Sequence, residues 1–103
     1  MKSRREMLEE FLAADPADIF SRYALALELE KERRAAEAIR ELRGVIERDA
    51  AYVAAYYHLG RLLAQAGEIT KAREIYLAGL DVATKAGDRR TRGEIQDALD
   101  SLD

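Results

Sequence analysis

Apolar residues along the chain fall into short stripes at helical spacing. Met7, Leu8, Phe11 and Leu12 recur at i, i+1, i+4 and i+5, which predicts a helix over 3–14 with one apolar face. Asp15-Pro16 ends it. Asp15 is expected to cap the next helix with Pro16 in its first position, and Asp18 to place negative charge at the positive end of the dipole. That second helix runs from about 17 to 32, burying Leu25 and Leu29 and leaving Glu28, Glu30, Lys31 and Glu32 in water. Ala38, Ile39, Leu42, Val45 and Ile46 predict a third over 35–49. Val53, Tyr56, Leu59, Leu62 and Leu63 form the apolar set of a fourth over 52–65, with Tyr56 in the core and Tyr52 and Tyr57 outside it. A fifth over 69–86 stops at Gly87, a residue suited to the left-handed turn that closes helices. The last, over 89–101, presents Ile95, Leu99 and Leu102. No alternating strand pattern interrupts the series, so an all-α chain of about six helices is expected.

The stretch "EKERR" at 30–34 contains neither Gly nor Pro, so local sequence alone permits one long helix from Pro16 through Asp49. An internal repeat decides otherwise. At an offset of 34 residues Tyr23 falls on Tyr57, Leu25 on Leu59, Leu29 on Leu63 and Ala38 on Ala72. Related residue types pair at Ile19/Val53, Ala26/Gly60, Leu42/Tyr76 and Ile46/Leu80. Because the matching unit turns at Ala66-Gly67, a turn is placed at Glu32-Arg33. The small residues also gain a reason: helices pack 8–10 Å apart according to the side chains between them, so Ala26/Gly60 and Ala38/Ala72 permit close approach.

This pattern resembles the tetratricopeptide repeat, a helix-turn-helix unit. The family pattern maps onto Tyr56, Leu59-Gly60, Leu63, Ala72, Tyr76 and Gly79, and in the first unit onto Leu25-Ala26, Leu29, Ala38 and Leu42, with Asp15-Pro16 resembling the close of a preceding unit. Departures are Arg22 at the bulky position, Arg33 at the turn glycine, Val45 at a small position, and Ala50 and Thr84 where closing prolines stand. The resemblance implies stacked antiparallel hairpins forming an α-solenoid, with residues 1–103 as a single domain. Its parts would be a packing helix at 3–14, repeats at 19–52 and 53–86, and a capping helix at 89–101. Each hairpin leaves an apolar side bare, so neighbours and end helices must cover it.

By the same resemblance, the first helix of each unit lines the inner surface. Phe20, Tyr23, Ala24, Leu27 and Lys31 would stand there in the first unit, and Ala54, Tyr57, His58, Arg61 and Gln65 in the second. The candidate binding set is Phe20, Tyr23, Leu27, Tyr57, His58 and Arg61, suited to a peptide or amphipathic helix carrying a carboxylate for Arg61. The alternative is structural: Phe20 and Tyr23 pack beneath the N-terminal helix, or the same surface is buried in a homodimer. Some family members clamp a partner's C-terminal carboxylate with Lys and Asn at inner positions; here those places read Tyr23, Leu27 and His58.

Charge and composition narrow the classes. Net charge is −3 with both signs interspersed, which supplies no field for nucleic acid or anionic lipid. There are no cysteines, so disulfides and thiolate metal sites are excluded. His58 is the single histidine and has no obvious second ligand for a metal. The three Ser residues and solvated carboxylates form no catalytic constellation and no Gly-rich phosphate loop follows a strand, so neither enzyme activity nor a cofactor is expected. Arg89, Arg90 and Arg92 crowd the start of the last helix, an unfavourable place for cations. No stretch approaches the roughly 20 apolar residues of a membrane span and no signal peptide is apparent, so the cytoplasm is expected. The expected function is a non-catalytic protein-interaction module, monomeric or weakly dimeric.

Overall fold

The computed structural model describes residues 1–102. Six helices follow in order: α1 Arg4–Ala14, α2 Ile19–Lys31, α3 Ala35–Arg48, α4 Val53–Gln65, α5 Ile69–Ala86 and α6 Arg89–Asp100. Among the described residues no strand occurs. The helices group into two compact units, Met1–Asp49 with α1 to α3 and Ala50–Asp103 with α4 to α6.

In the first unit α1 packs on α2 and α2 on α3. Its core is Leu8, Ala24, Leu25, Ala26, Leu29, Ala38, Leu42 and Val45. The turn between α2 and α3 is present, and its geometry explains how "EKERR" breaks a helix without glycine. The Arg33 N–H bonds the Glu30 carbonyl and the Arg34 N–H the Leu29 carbonyl. This pair of bonds closes a helix when the residue between adopts the left-handed region, and Arg33 does so at φ +60°. Gly67, 34 residues on, has φ +82° and repeats both bonds one unit later, from Gly67 N to the Ala64 carbonyl and Glu68 N to the Leu63 carbonyl. Gly87 closes α5 the same way at φ +69°.

Three expectations for this unit need correction. Asp15 does not cap α2: its Oδ1 accepts from Ala17 N at 3.1 Å, forming a turn through Pro16. Asp18 is the capping residue, accepting from the Ser21 N–H at 3.0 Å and from its hydroxyl. The carboxylate two residues past the proline is better placed because the turn must close before the helix can begin. Secondly, α1 buries only Leu8 of its four apolar residues; Leu12 is half-buried, while Met7 and Phe11 are 46% and 52% exposed. One neighbouring helix, α2, cannot cover so wide a face. Thirdly, the Glu28 side chain is 15% exposed rather than solvated, because Arg4 and Lys31 both pair with it.

A charged network fastens α1 to the α2–α3 turn. Arg5 Nε lies 2.9 Å from both carboxylate oxygens of Glu32, its Nη1 meets Glu9 at 2.9 Å, and Arg34 grips Glu37 with two bonds at 2.9 and 2.7 Å. These contacts depress the Glu37 carboxyl below its ordinary range, the Arg34 hydrogen bond being the largest cause.

In the second unit α4 pairs with α5, and α6 packs on both. Here the small residues show their purpose. A Cβ on Gly60 of α4 would clash with the Tyr76 ring of α5, standing 2.8 Å from Cζ and closer still to Cε1 and Cδ1. A Cβ on Gly79 of α5 would stand 2.7 Å from Tyr56 Cβ of α4 and 3.0 Å from Ile95 Cδ1 of α6. Each helix therefore sends one tyrosine onto the other's glycine. Tyr56, Leu59, Leu63, Ala72, Tyr76, Ala83 and Ile95 complete the core, with Ile95 fully buried and Leu99 and Leu102 half-buried at its edge. Burial pushes the Tyr76 phenol above its ordinary value.

Candidate functional site

α2 carries the first group of expected site residues. Its capping contact at Asp18 fixes where the helix begins and so which residues face water. Phe20 is 68% exposed, and Tyr23 and Leu27 are half-buried. An aromatic ring so open on a helix otherwise well packed is the largest apolar feature of α2 outside the core. Ala24 belongs to the core at 7% exposure rather than to a surface, and Lys31 is exposed.

The second group lies on α4 and is gathered into one cluster. The Tyr57 and His58 rings meet edge-on with centroids 5.4 Å apart. Arg61 Cζ stands 6.0 Å from the Tyr57 ring centroid, within reach of a cation–π contact. Its Nη2 is 3.1 Å from His58 Nδ1, and since a guanidinium only donates, Nδ1 is the acceptor of this contact. Spacing explains the grouping: His58 and Arg61 are three apart, one helical turn, and Tyr57 lies on the adjoining side. Tyr57, His58 and Arg61 are each half-buried, whereas Gln65 at the end of the helix is exposed. The cluster presents a cation and two aromatic edges together, chemistry that recognises a carboxylate flanked by apolar groups.

Some contributors escaped the sequence reading. Arg22, which the sequence marks only as a departure at a bulky position, has a side chain 14% exposed, with Nη1 2.7 Å from Glu41 Oε1 and Cδ 3.3 Å from where a Gly44 Cβ would stand. Its alternation with Tyr56 at the matching place was the available signal. Arg22, Arg40, Arg43 and Arg48 line an open cleft over Gly44 together with Glu41 and Glu47. At α6, Asp88 accepts from the Thr91 N–H at 3.0 Å, offsetting the cations that follow it, and the bond lowers the Asp88 carboxyl. Among the described residues no group of acidic or imidazole side chains is arranged to hold a metal. Nor is any helix among the described residues long and apolar enough to cross a membrane.

Comparison with known proteins agrees with this geometry. The family model described as tetratricopeptide repeat matches residues 29–89. The chain belongs to the tetratricopeptide repeat family. A crystal structure of a tetratricopeptide repeat domain protein from Salinibacter ruber is 38% identical, covers 80% of this chain and 91% of its own, and superposes with a TM-score of 0.77. A solution structure of a protein from Bordetella parapertussis is 28% identical over 97% of this chain and 87% of its own, with a TM-score of 0.84. The TPR2B domain of yeast Sti1, solved as a complex with pHsp70, shares the fold at a TM-score of 0.87 with 22% identity, covering 92% of this chain and 76% of its own. No curated protein matches the sequence. Membership accounts for the pairing of α2 with α3 and of α4 with α5 as helical hairpins, and for the left-handed turn in each.

Proposed function

We propose that this tetratricopeptide repeat chain is a non-catalytic protein-interaction module whose partner contacts are made by the first helix of each hairpin. Phe20, Tyr23 and Leu27 on α2 supply apolar area, and Tyr57, His58 and Arg61 on α4 supply aromatic edges and a cation. The observation that carries this reading is the Tyr57–His58–Arg61 cluster. A guanidinium positioned by two rings loses little freedom when it meets a carboxylate, and aromatic and Arg residues dominate interface energies. The partner is accordingly a peptide or amphipathic helix with an acidic group beside apolar residues. The yeast Sti1 domain captured with pHsp70 supports the reading by analogy of fold.

Peptide-display selection against the folded chain provides the test. Selected binders should lose at least tenfold in affinity with the Tyr23→Ala/Tyr57→Ala variant and similarly with Arg61→Met, the helical circular dichroism being unchanged. Binders that retain full affinity for both variants would remove these helices as the contact surface.

A further inference from the structure

The open cleft of about 470 Å³ in the first unit lies along α3 and is walled by arginines. Gly44 is its floor. Arg40 and Arg48 stand four residues to either side of Gly44, about one helical turn each, Arg43 is next to it in sequence, and Arg22 reaches across from α2. A Cβ at Gly44 would sit 3.3 Å from both Arg22 Cδ and Arg48 Nη1, so the bare position is what lets these two side chains lie across the helix.

The charge gathered there is not balanced from within. Glu41 accepts from Arg22 Nη1 at 2.7 Å, and Arg48 Nη1 donates to the Gly44 carbonyl at 3.1 Å. Among the described residues neither Arg40 nor Arg43 has an ion pair or a side-chain hydrogen bond. Arg22 Nε is shielded from solvent and has no hydrogen-bond partner among the described residues. A guanidinium desolvated with one N–H unanswered is held at a cost that a nearby negative charge offsets. Four arginines against Glu41 and Glu47 leave the cleft two positive charges in excess, on a chain whose net charge is −3. The repeat does not require this set. At an offset of 34, Arg22, Arg40, Arg43, Gly44 and Arg48 correspond to Tyr56, Glu74, Leu77, Ala78 and Val82.

We propose that the Gly44 cleft binds a phosphate monoester dianion, with Arg40, Arg43 and Arg48 donating to its oxygens and Arg22 supplying charge from the side. Guanidinium forks match phosphoryl oxygens, and a phosphate monoester carries close to two negative charges at pH 7, which balances the excess; a carboxylate balances only half of it. The ester arrives on a small free molecule or on a phosphorylated serine or threonine, the chemical group being the same.

Titration of the ¹⁵N-labelled chain with methyl phosphate at constant ionic strength tests the site. At pH 7.5 the amide shifts of Arg40, Arg43, Gly44 and Glu47 should saturate at a concentration at least fivefold lower than with acetate. At pH 5.5, where the ester is mainly a monoanion, its affinity should fall at least twofold, while that of sulfate, a dianion at both values, stays the same. Arg40→Gln/Arg43→Gln removes two exposed cations and should weaken binding at least tenfold with helical circular dichroism unchanged. Arg89→Gln/Arg90→Gln, the same loss of charge on α6, should leave it within twofold. Tyr23→Ala/Tyr57→Ala and Arg61→Met should also leave it intact, so the outcome is separable from that for the partner surface on α2 and α4. A phosphoserine peptide binding more than threefold tighter than methyl phosphate assigns the source to a phosphorylated segment, and a smaller gain assigns it to a free ester. Shifts that do not saturate, acetate binding as well as methyl phosphate, or full affinity in Arg40→Gln/Arg43→Gln would overturn the proposal.

Discussion

Arg22 and Tyr56 occupy matching positions 34 residues apart, and each side chain donates to the carbonyl six residues before it: Arg22 Nη2 to Pro16 O at 3.0 Å, Tyr56 Oη to Ala50 O at 2.7 Å. Two unrelated side chains thus perform one task, tying the first helix of a hairpin to the turn that leads into it. The difference in bulk is absorbed opposite. Tyr56 lies against Gly79, whereas the matching position to Gly79 in the first unit is Val45. Tyr56→Phe removes only the hydroxyl bond and should lower stability by about 1 kcal/mol. Urea unfolding monitored by circular dichroism measures it; no change in midpoint would mean that water replaces the bond at no loss.

Gly60 and Tyr76 form the second such exchange, since the first unit has Ala26 and Leu42 at the same places, both buried. Gly60→Ala drives a methyl group against the Tyr76 ring and should destabilise by about 1–3 kcal/mol. Tyr76→Leu alone leaves a cavity and should also destabilise, by about 2 kcal/mol. Combined, they recreate the first unit's pairing, so the double variant should be at least 1 kcal/mol more stable than the sum of the single losses implies. A simple additive result in the double-mutant cycle would show that the two residues are not coupled.

Arg33 holds the left-handed conformation that glycine adopts at 67 and 87. A side chain in that region costs about 1–2 kcal/mol, offset in part by glycine's larger freedom when unfolded. Arg33→Gly should therefore raise stability by about 0.5–1 kcal/mol, and Gly67→Ala should lower it by about 1 kcal/mol. Thermal melts of both variants read the two signs, and equal shifts in one direction would contradict the shared geometry.

Acid sensitivity should arise at the helix caps. The Asp18 carboxyl is lowered from the ordinary 3.8, chiefly by its hydrogen bond from the Ser21 side chain, and Asp88 is lowered by the Thr91 backbone N–H. A carboxyl with a depressed folded-state pKa contributes stability that is complete above its unfolded value and disappears as pH falls through the folded one. Stability should thus decline below about pH 4. Asp18→Asn/Asp88→Asn keeps an acceptor oxygen at both caps without a titrating group, so its stability curve below that pH should be flatter. Parallel curves would place the acid response elsewhere.

Much of the fold could be read before any coordinates. Periodicity located all six helices within a few residues, and the recurrence of Tyr23, Leu25, Leu29 and Ala38 supplied the α2–α3 turn that "EKERR" hides. Two of the failures share a cause: competition among short-range hydrogen bonds and ion pairs that a hydrophobic pattern does not record. Asp15 bends back to Ala17 and leaves capping to Asp18, while Glu28 is drawn under Arg4 and Lys31. The width of the α1 stripe was also misread, because pattern shows which residues are apolar and not how many neighbours exist to cover them. At the surface, sequence named Tyr57, His58 and Arg61, but the orientation of Arg61 by both rings required coordinates.

An amide chemical-shift map of the ¹⁵N-labelled chain, titrated with a display-selected acidic-apolar peptide, tests the assignment of function most directly. The expected result is saturable shifts centred on Phe20, Tyr23, Leu27, Tyr57, His58 and Arg61, absent with Arg61→Met. Shifts confined to α3, the outer side of α5 or α6, with α2 and α4 silent, would contradict it.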